Sequence, residues 1–226
     1  MKKLLLLLTI LLSTTSIMAQ NNGWQSLFDG KSLKGWHLFK KPGVSPAWTV
    51  QDGAIYLDVN GPKEGRGDLI TDKESGDFDF DFEWKVAPES NSVVIFFAQE
   101  ADKFDATWHT GPEFQLIDNT GYPEKLKPVQ LSASLYDMIP CPAEYIKPTG
   151  EWNKTTISFK KGLLEFVVNG KKPVSIKLGS DEWNKLIANS KFVDMKDFAQ
   201  NTRGHIALQD HGGAVWFRNL KIKSYN

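Results

Sequence analysis

The stretch "FDFDFEWKV" constrains this chain more than any other. Phe78, Phe80, Phe82 and Trp84 alternate with Asp79, Asp81, Glu83 and Lys85, and only an extended strand sends successive side chains to opposite faces. One face must be covered and the other tolerates water. "SVVIFFAQ" (92–99), "TTISF" (155–159), "LLEFVVNG" (163–170) and "GHIALQ" (204–209) continue the strand theme, with Gly, Pro, Asn and Asp in the gaps. Asn169-Gly170 predicts a tight type I′ hairpin, because both residues accept positive φ. A single helical stretch stands out: Ser180 or Asp181 caps a segment in which Trp183, Leu186 and Ile187 share a side. Many short strands with one or two short helices predict an all-β sandwich of two stacked antiparallel sheets. Period alone does not choose among sandwich topologies.

The amino terminus reads differently. Lys2 and Lys3 precede an apolar run from Leu4 to Leu12, and small and polar residues follow as far as Ala19-Gln20. This is the order of a secretory signal over residues 1–19, and the run is too short to span a bilayer. The expectation is an exported, periplasmic domain over 20–226, with no membrane insertion once the signal is removed. The chain has 27 basic residues, two of them in the leader, against 27 acidic ones, so charge gives no reason to expect nucleic acid as a partner. Cys141 is the sole cysteine, so no internal disulfide forms and stability must come from packing. Eight tryptophans and fourteen phenylalanines supply that packing, and they also offer flat faces on which sugar rings stack.

Two polar stretches carry the candidate chemistry. In "GHIALQDH" a strand sends His205, Ala207, Gln209 and His211 to one face and Ile206, Leu208 and Asp210 to the other. Downstream, Val215 and Phe217 are out of step with Leu220 and Ile222, which predicts a bulge near Arg218-Asn219 that re-aims Arg218. In "WHTGPEFQLIDNTGYPE", Glu113 and Gln115 share one face opposite Phe114 and Leu116, with His109 and Asp118 flanking the strand. A carboxylate and an amide on alternate positions suit vicinal hydroxyls, although any solvated strand face reads the same way. The histidine spacing alone is weak evidence for a metal.

Taken in order, "LFDGKSLKGW" (27–36), "WTVQDGAIYL" (48–57), "GPEFQLIDN" (111–119), "SLYDMI" (134–139), "EWNKTTISF" (151–159) and "GHIALQDHGGAVWFRNLKIK" (204–223) resemble the motifs of a bacterial secreted family named for 3-keto-glycoside lyase/hydratase, or 3-keto-disaccharide hydrolase, activity. The resemblance implies a concanavalin A-like jelly-roll sandwich with its site on a concave face. It implies a carbohydrate substrate oxidised at C3, cleaved by β-elimination and then hydrated, which requires a base, an electrophile for the enolate oxygen and an acid for the leaving group. By motif position the catalytic candidates are Glu113, His205, His211 and Arg218. Those for substrate binding are Glu83, Asn91, His109, Gln115, Tyr136, Asp137 and Gln209. A divalent metal ion would serve as electrophile, with Glu113 and His211 as candidate ligands, and no organic cofactor is expected.

Each role has a plainer alternative. Glu83 can pair with Lys85 or Arg218, Asn91 can shape a turn, Tyr136 can be core, and Asp210 can close the turn before Gly212. Two departures from the family pattern stand out: Tyr122 replaces a histidine and Val93 replaces a glycine. They keep open a non-catalytic carbohydrate-binding module in which Trp108, Tyr122 or Trp216 stacks on a glycan. A conventional glycoside hydrolase of similar fold would want an E-x-D-x-x-E-like run, and none is present. The sequence does not speak to the oligomeric state.

Overall fold

The computed structural model describes residues 22–225; the leader expected over residues 1–19 lies outside them. The first half of the chain supplies β1 (Trp24–Ser26), β2 (Trp36–Leu38), β3 (Trp48–Gln51), β4 (Ala54–Leu57), β5 (Leu69–Thr71), β6 (Asp77–Val86), β7 (Asn91–Ala98) and β8 (Glu113–Ile117). The second half adds β9 (Asn153–Lys160), β10 (Leu163–Val168), β11 (Lys171–Lys177), helix α1 (Asp181–Ala188), β12 (His205–Leu208) and β13 (Val215–Tyr225). The larger sheet has the order β11-β10-β9-β6-β13-β4-β3, with β1 also on β13, and the smaller has the order β2-β5-β12-β7-β8. Every strand pairing is antiparallel. Two stacked sheets are the solution the period-two pattern demands.

The local devices follow the sequence. Asn169 and Gly170 take φ of 48° and 80° in the turn between β10 and β11, as a type I′ hairpin requires. Ser180 caps α1 by accepting from the Trp183 amide. Pro173 sits in β11, an edge strand of its sheet, where a missing N–H is tolerated.

The core lies between the sheets. Phe78, Phe80, Phe82 and Trp84 of β6 are fully buried, and Phe82 meets Phe114 edge-on with ring centroids 5.8 Å apart. Trp84 Nε1 donates to Thr155 Oγ1 at 2.9 Å, which satisfies the one polar atom of a buried indole. Phe96 and Phe97 are consecutive, yet both enter the core. A positive φ of 64° at Phe97, where the β12 pairing also shifts register, breaks the alternation and turns Ala98 outward.

A sandwich has two outer faces, and they differ here. The outer face of the larger sheet carries Asp79, Asp81, Glu83 and Lys85. The expected bulge is present, since register shifts between Arg218 and Lys221 and Asn219 takes φ of 56°. It does not aim Arg218 at a site: Arg218 Nε donates to Glu83 at 2.8 Å, Asn219 adds a second bond, and the guanidinium lies 4.0 Å over the Trp152 ring. Glu83 and Arg218 therefore form a surface ion pair, and their expected roles in substrate binding and catalysis are corrected. Partial burial raises the Glu83 pKa, but the hydrogen bonds from Arg218 and Asn219 and the charges of Arg218 and Lys154 together lower it.

The outer face of the smaller sheet is apolar along Ile70, Val93, Ile95, Ala98 and Ala207, and Phe39 and Trp108 pack against it. The loops beyond β8 are tied down by Asp118. Its carboxylate accepts from the Glu89 and Thr120 amides and from the Thr120 and Thr149 hydroxyls. Burial pushes its pKa up, but bonds led by Thr149 overcome this and hold it far below the ordinary carboxylate range. A depressed pKa stabilises the fold above the unfolded value of about 4 and loses that contribution as pH falls through the folded one. We expect Asp118→Ala to cost about 2–3 kcal/mol at neutral pH, with the gap to wild type narrowing below about pH 4, as read by denaturant melts at both pH values.

Candidate functional site

Both polar stretches converge on the outer face of the smaller sheet. There β8, β7 and the end of β12 lie side by side, so Gln115, Val93 and Gln209 form one row across the sheet: Gln115 is the register partner of Val93, and the Gln209 amide donates to Val93 O at 2.9 Å. With Glu113 they border a cavity of about 390 Å³. Asn91 and His211 complete its lower wall, and Tyr136, Trp108 and Lys191 form the opposite side. Three segments far apart in sequence meet in one hollow.

The side chains here are buried, although their alternation reads as a solvated face. Glu113, Gln115 and Gln209 are 3%, 2% and 9% exposed. Asn91 Oδ1 accepts from Gln115 Nε2 at 3.1 Å, leaving Gln115 Oε1 without a donor. Among the described residues, the buried side-chain oxygens lacking a hydrogen bond are Glu113 Oε1, Gln115 Oε1 and Gln209 Oε1, and all three residues border this cavity. Buried acceptors are rarely left unmatched. Their convergence marks a site built for a ligand rich in donors.

Lys191 brings the positive charge. It lies beyond α1, its backbone N–H held by Asp137 Oδ2 at 2.7 Å. Its Nζ stands 3.0 Å from Glu113 Oε1 as an ion pair. Tyr136 and Trp108 surround the ammonium, their ring centroids 4.3 and 5.5 Å away, distances at which cation–π attraction holds it in place. Burial pushes the Glu113 pKa up, and Lys191 opposes that shift only in part.

The donor set does not fit a divalent metal ion. Its one carboxylate already faces an ammonium, its other two oxygens are neutral amides, and no group of three His, Cys, Asp or Glu side chains converges among the described residues. The cation that the cavity itself supplies is Lys191.

Of the residues singled out in the sequence, Asn91, Glu113, Gln115, Tyr136, Gln209 and His211 line the cavity. Asp137 lies outside the lining, holds the Lys191 backbone N–H and adds a charge that helps raise the Glu113 pKa. His109 packs edge-on against Trp108 at 4.2 Å and is not part of this cavity's lining. His205 shares the sheet face but stands outside the cavity: its Nδ1 is 2.6 Å from Thr71 O, its Nε2 is 3.9 Å from Glu74, and its ring stands edge-on to His37. Its expected role as a base is therefore corrected. Val93 lines the cavity, whereas Tyr122 lies outside the lining. Lys191 went unrecognised because no period or motif surrounds it.

The chain matches the family of the 3-keto-alpha-glucoside-1,2-lyase-like domain over residues 23–223. It belongs to that family. A 3-keto-disaccharide hydrolase of Bacteroides thetaiotaomicron is 35% identical, with the match covering 89% of this chain and 78% of the relative. A crystal structure from Parabacteroides distasonis, provisionally assigned as a glycosyl hydrolase, superposes with a TM-score of 0.82 at 33% identity, covering 91% of this chain and 95% of that one. The carbohydrate-binding module CBM66 of Bacillus subtilis aligns at a TM-score of 0.50 and 10% identity, over 84% of this chain and 96% of that one, and shows the fold alone. The fold of this lyase-like domain is a concanavalin A-like sandwich, as the resemblance implied.

Proposed function

We propose that this lyase-like domain binds the oxidised ring of a 3-keto-glycoside in the Glu113–Lys191 cavity and breaks the glycosidic bond by elimination. The observation that carries the reading is two unmatched buried amide oxygens, Gln115 Oε1 and Gln209 Oε1, beside the Glu113–Lys191 ion pair. Sugar hydroxyls supply the missing donors, and a keto oxygen suits the cation. A ketone at C3 acidifies the C2–H bond. Glu113 takes that proton, and its raised pKa makes it a stronger base than an exposed carboxylate. The electron pair moves to the C3 oxygen, where the Lys191 ammonium takes up the charge. It returns as the C1–C2 double bond while the C1–O bond breaks, and His211 acts as the general acid for the leaving oxygen. Water then adds across the double bond, hydroxyl to C1 and hydrogen to C2, and the sum is hydrolysis. Gln115 and Gln209 hold hydroxyls throughout.

The decisive assay compares a 3-keto-glucoside with its parent glucoside in deuterated water. We expect aglycone release from the keto-sugar alone, with solvent deuterium at C2 of the product. Equal turnover of the parent, or full retention of the original C2 hydrogen, overturns elimination. Binding without turnover favours the non-catalytic module.

A further inference from the structure

His211 is exposed at the cavity wall, so close packing does not set the direction of its ring and the backbone on either side must do so. We propose that Arg66 is a positioning residue for the reaction, fixing the turn that carries His211 and so holding the general acid in place. The inference rests on the elimination reading, and it adds what keeps the acid of that reaction aimed.

Antiparallel pairing brings the parts together. β5 and β12 run in opposite directions with Leu69 opposite Leu208, so residues 66–68, which lead into β5, lie beside residues 209–211, which follow β12. Arg66 Nε donates to Asp210 Oδ2 at 2.7 Å and its Nη2 donates to Oδ1 at 2.5 Å. The Gly212 amide donates to the same Oδ1 at 3.2 Å, and the Asp210 amide donates to Asp68 Oδ1 at 3.0 Å. The residues immediately before and after His211 are thus tied through one carboxylate, and that carboxylate is held by one guanidinium. Gly212 takes φ of 86°, which lets the chain double back at no steric cost.

The clamp is dry and has its own anchor. The side chains of Arg66 and Asp210 are 19% and 4% exposed, so water competes little with the charge-assisted fork. Behind it, the buried Trp48 donates its Nε1 to Gly67 O at 2.8 Å, and Lys41 Nζ donates to Arg66 O at 3.0 Å. Thr107 Oγ1 donates to Asp68 Oδ2 at 2.5 Å, which joins the same segment to the turn that carries Trp108. Residues 66–68 are therefore fixed to the core before they grip Asp210.

Arg66 acts through its neighbour. It lies outside the lining of the Glu113–Lys191 cavity, and its fork is occupied by Asp210. Gln209 is secured separately, by the bond from its amide to Val93 O. Loss of Arg66 should thus displace the acid while leaving the sugar-binding amides where they are.

The test compares methyl 3-keto-glucoside, whose alkoxide leaves poorly without a proton, with 4-nitrophenyl 3-keto-glucoside, whose phenolate leaves without one. Arg66→Met is expected to lower kcat for the methyl glycoside by about tenfold to a hundredfold. For the nitrophenyl glycoside kcat is expected to stay within about threefold of wild type, as is KM for both substrates. Arg66→Lys keeps the charge but loses the fork and is expected to resemble Arg66→Met; full rescue by lysine overturns the proposal. An equal loss on both substrates marks a merely structural role and overturns it, as does wild-type kcat on the methyl glycoside. His211→Gln supplies the reference and is expected to show the same dependence on the leaving group. If wild type turns over neither glycoside the elimination reading fails, and if His211→Gln spares the methyl glycoside the acid assignment fails. In either case the clamp is judged by hydrogen exchange at the Gly212 amide. Exchange faster by about tenfold or more in Arg66→Met supports the clamp, and unchanged exchange overturns it.

Discussion

Glu113→Gln is expected to lower kcat for a 3-keto-glucoside by about a thousandfold and to abolish deuterium incorporation at C2, while the protein stays folded. The amide keeps the volume and the hydrogen-bonding capacity of the carboxylate but cannot take a proton from carbon. Stability moves the other way. Burial disfavours charged Glu113 and raises its folded pKa, so the folded protein binds the proton more readily than the unfolded chain. The destabilisation is present in full above the folded value and disappears as pH falls below the unfolded value of about 4.3. Removing the charge lifts that burden at neutral pH, and Lys191, 38% exposed, retains access to water. The variant is expected to melt at or above the wild-type temperature. The same raised pKa sets the acid limb of the kcat/KM profile above the range of an ordinary carboxylate. Wild-type kcat in Glu113→Gln would remove the residue from the chemistry.

Gly111→Ala is expected to cost about 3 kcal/mol, measured by denaturant unfolding. Gly111 opens the approach to β8 and crosses β7 so closely that a Cβ would overlap Phe96 O and lie 2.6 Å from Ile95 Cγ2. One obstacle is backbone in the middle of the smaller sheet, and it has nowhere to move. Relief would require lifting β8, which carries Glu113 and Gln115, so binding of keto-sugar is expected to weaken along with the fold. Unfolding indistinguishable from wild type would show that the crossing is looser than this geometry.

These two positions illustrate what was legible in the chain. The alternation of β6, the Asn169-Gly170 turn, the Ser180 cap and the Asn219 bulge are local, each set by a few neighbouring residues, and each was readable. The convergence of Glu113, Gln115, Gln209 and His211 followed from motif order. Which outer face they share did not, because alternation separates the inside of a sandwich from its outside without telling one outside from the other. Glu83 and Arg218 were misplaced for that reason. The burial of Glu113 was equally hidden, since its cover comes from Tyr136 and Lys191 on loops with no period. His205 obeyed its alternation and still missed the cavity, because the β12 strand carries it toward Thr71 and His37, away from the row that holds Gln209.

The route by which Lys191 reaches the cavity has its own consequence. It belongs to neither sheet. Its segment is pinned by an aromatic stack in which Phe192 lies 3.8 Å from Phe198, with Trp183 parallel beyond it. Glu113, the proposed base, and the Lys191 ammonium are thus mounted on separate foundations, one woven into strand pairing and the other resting on three rings. A change in the three rings can therefore shift the ammonium without disturbing the strand pairing that holds Glu113.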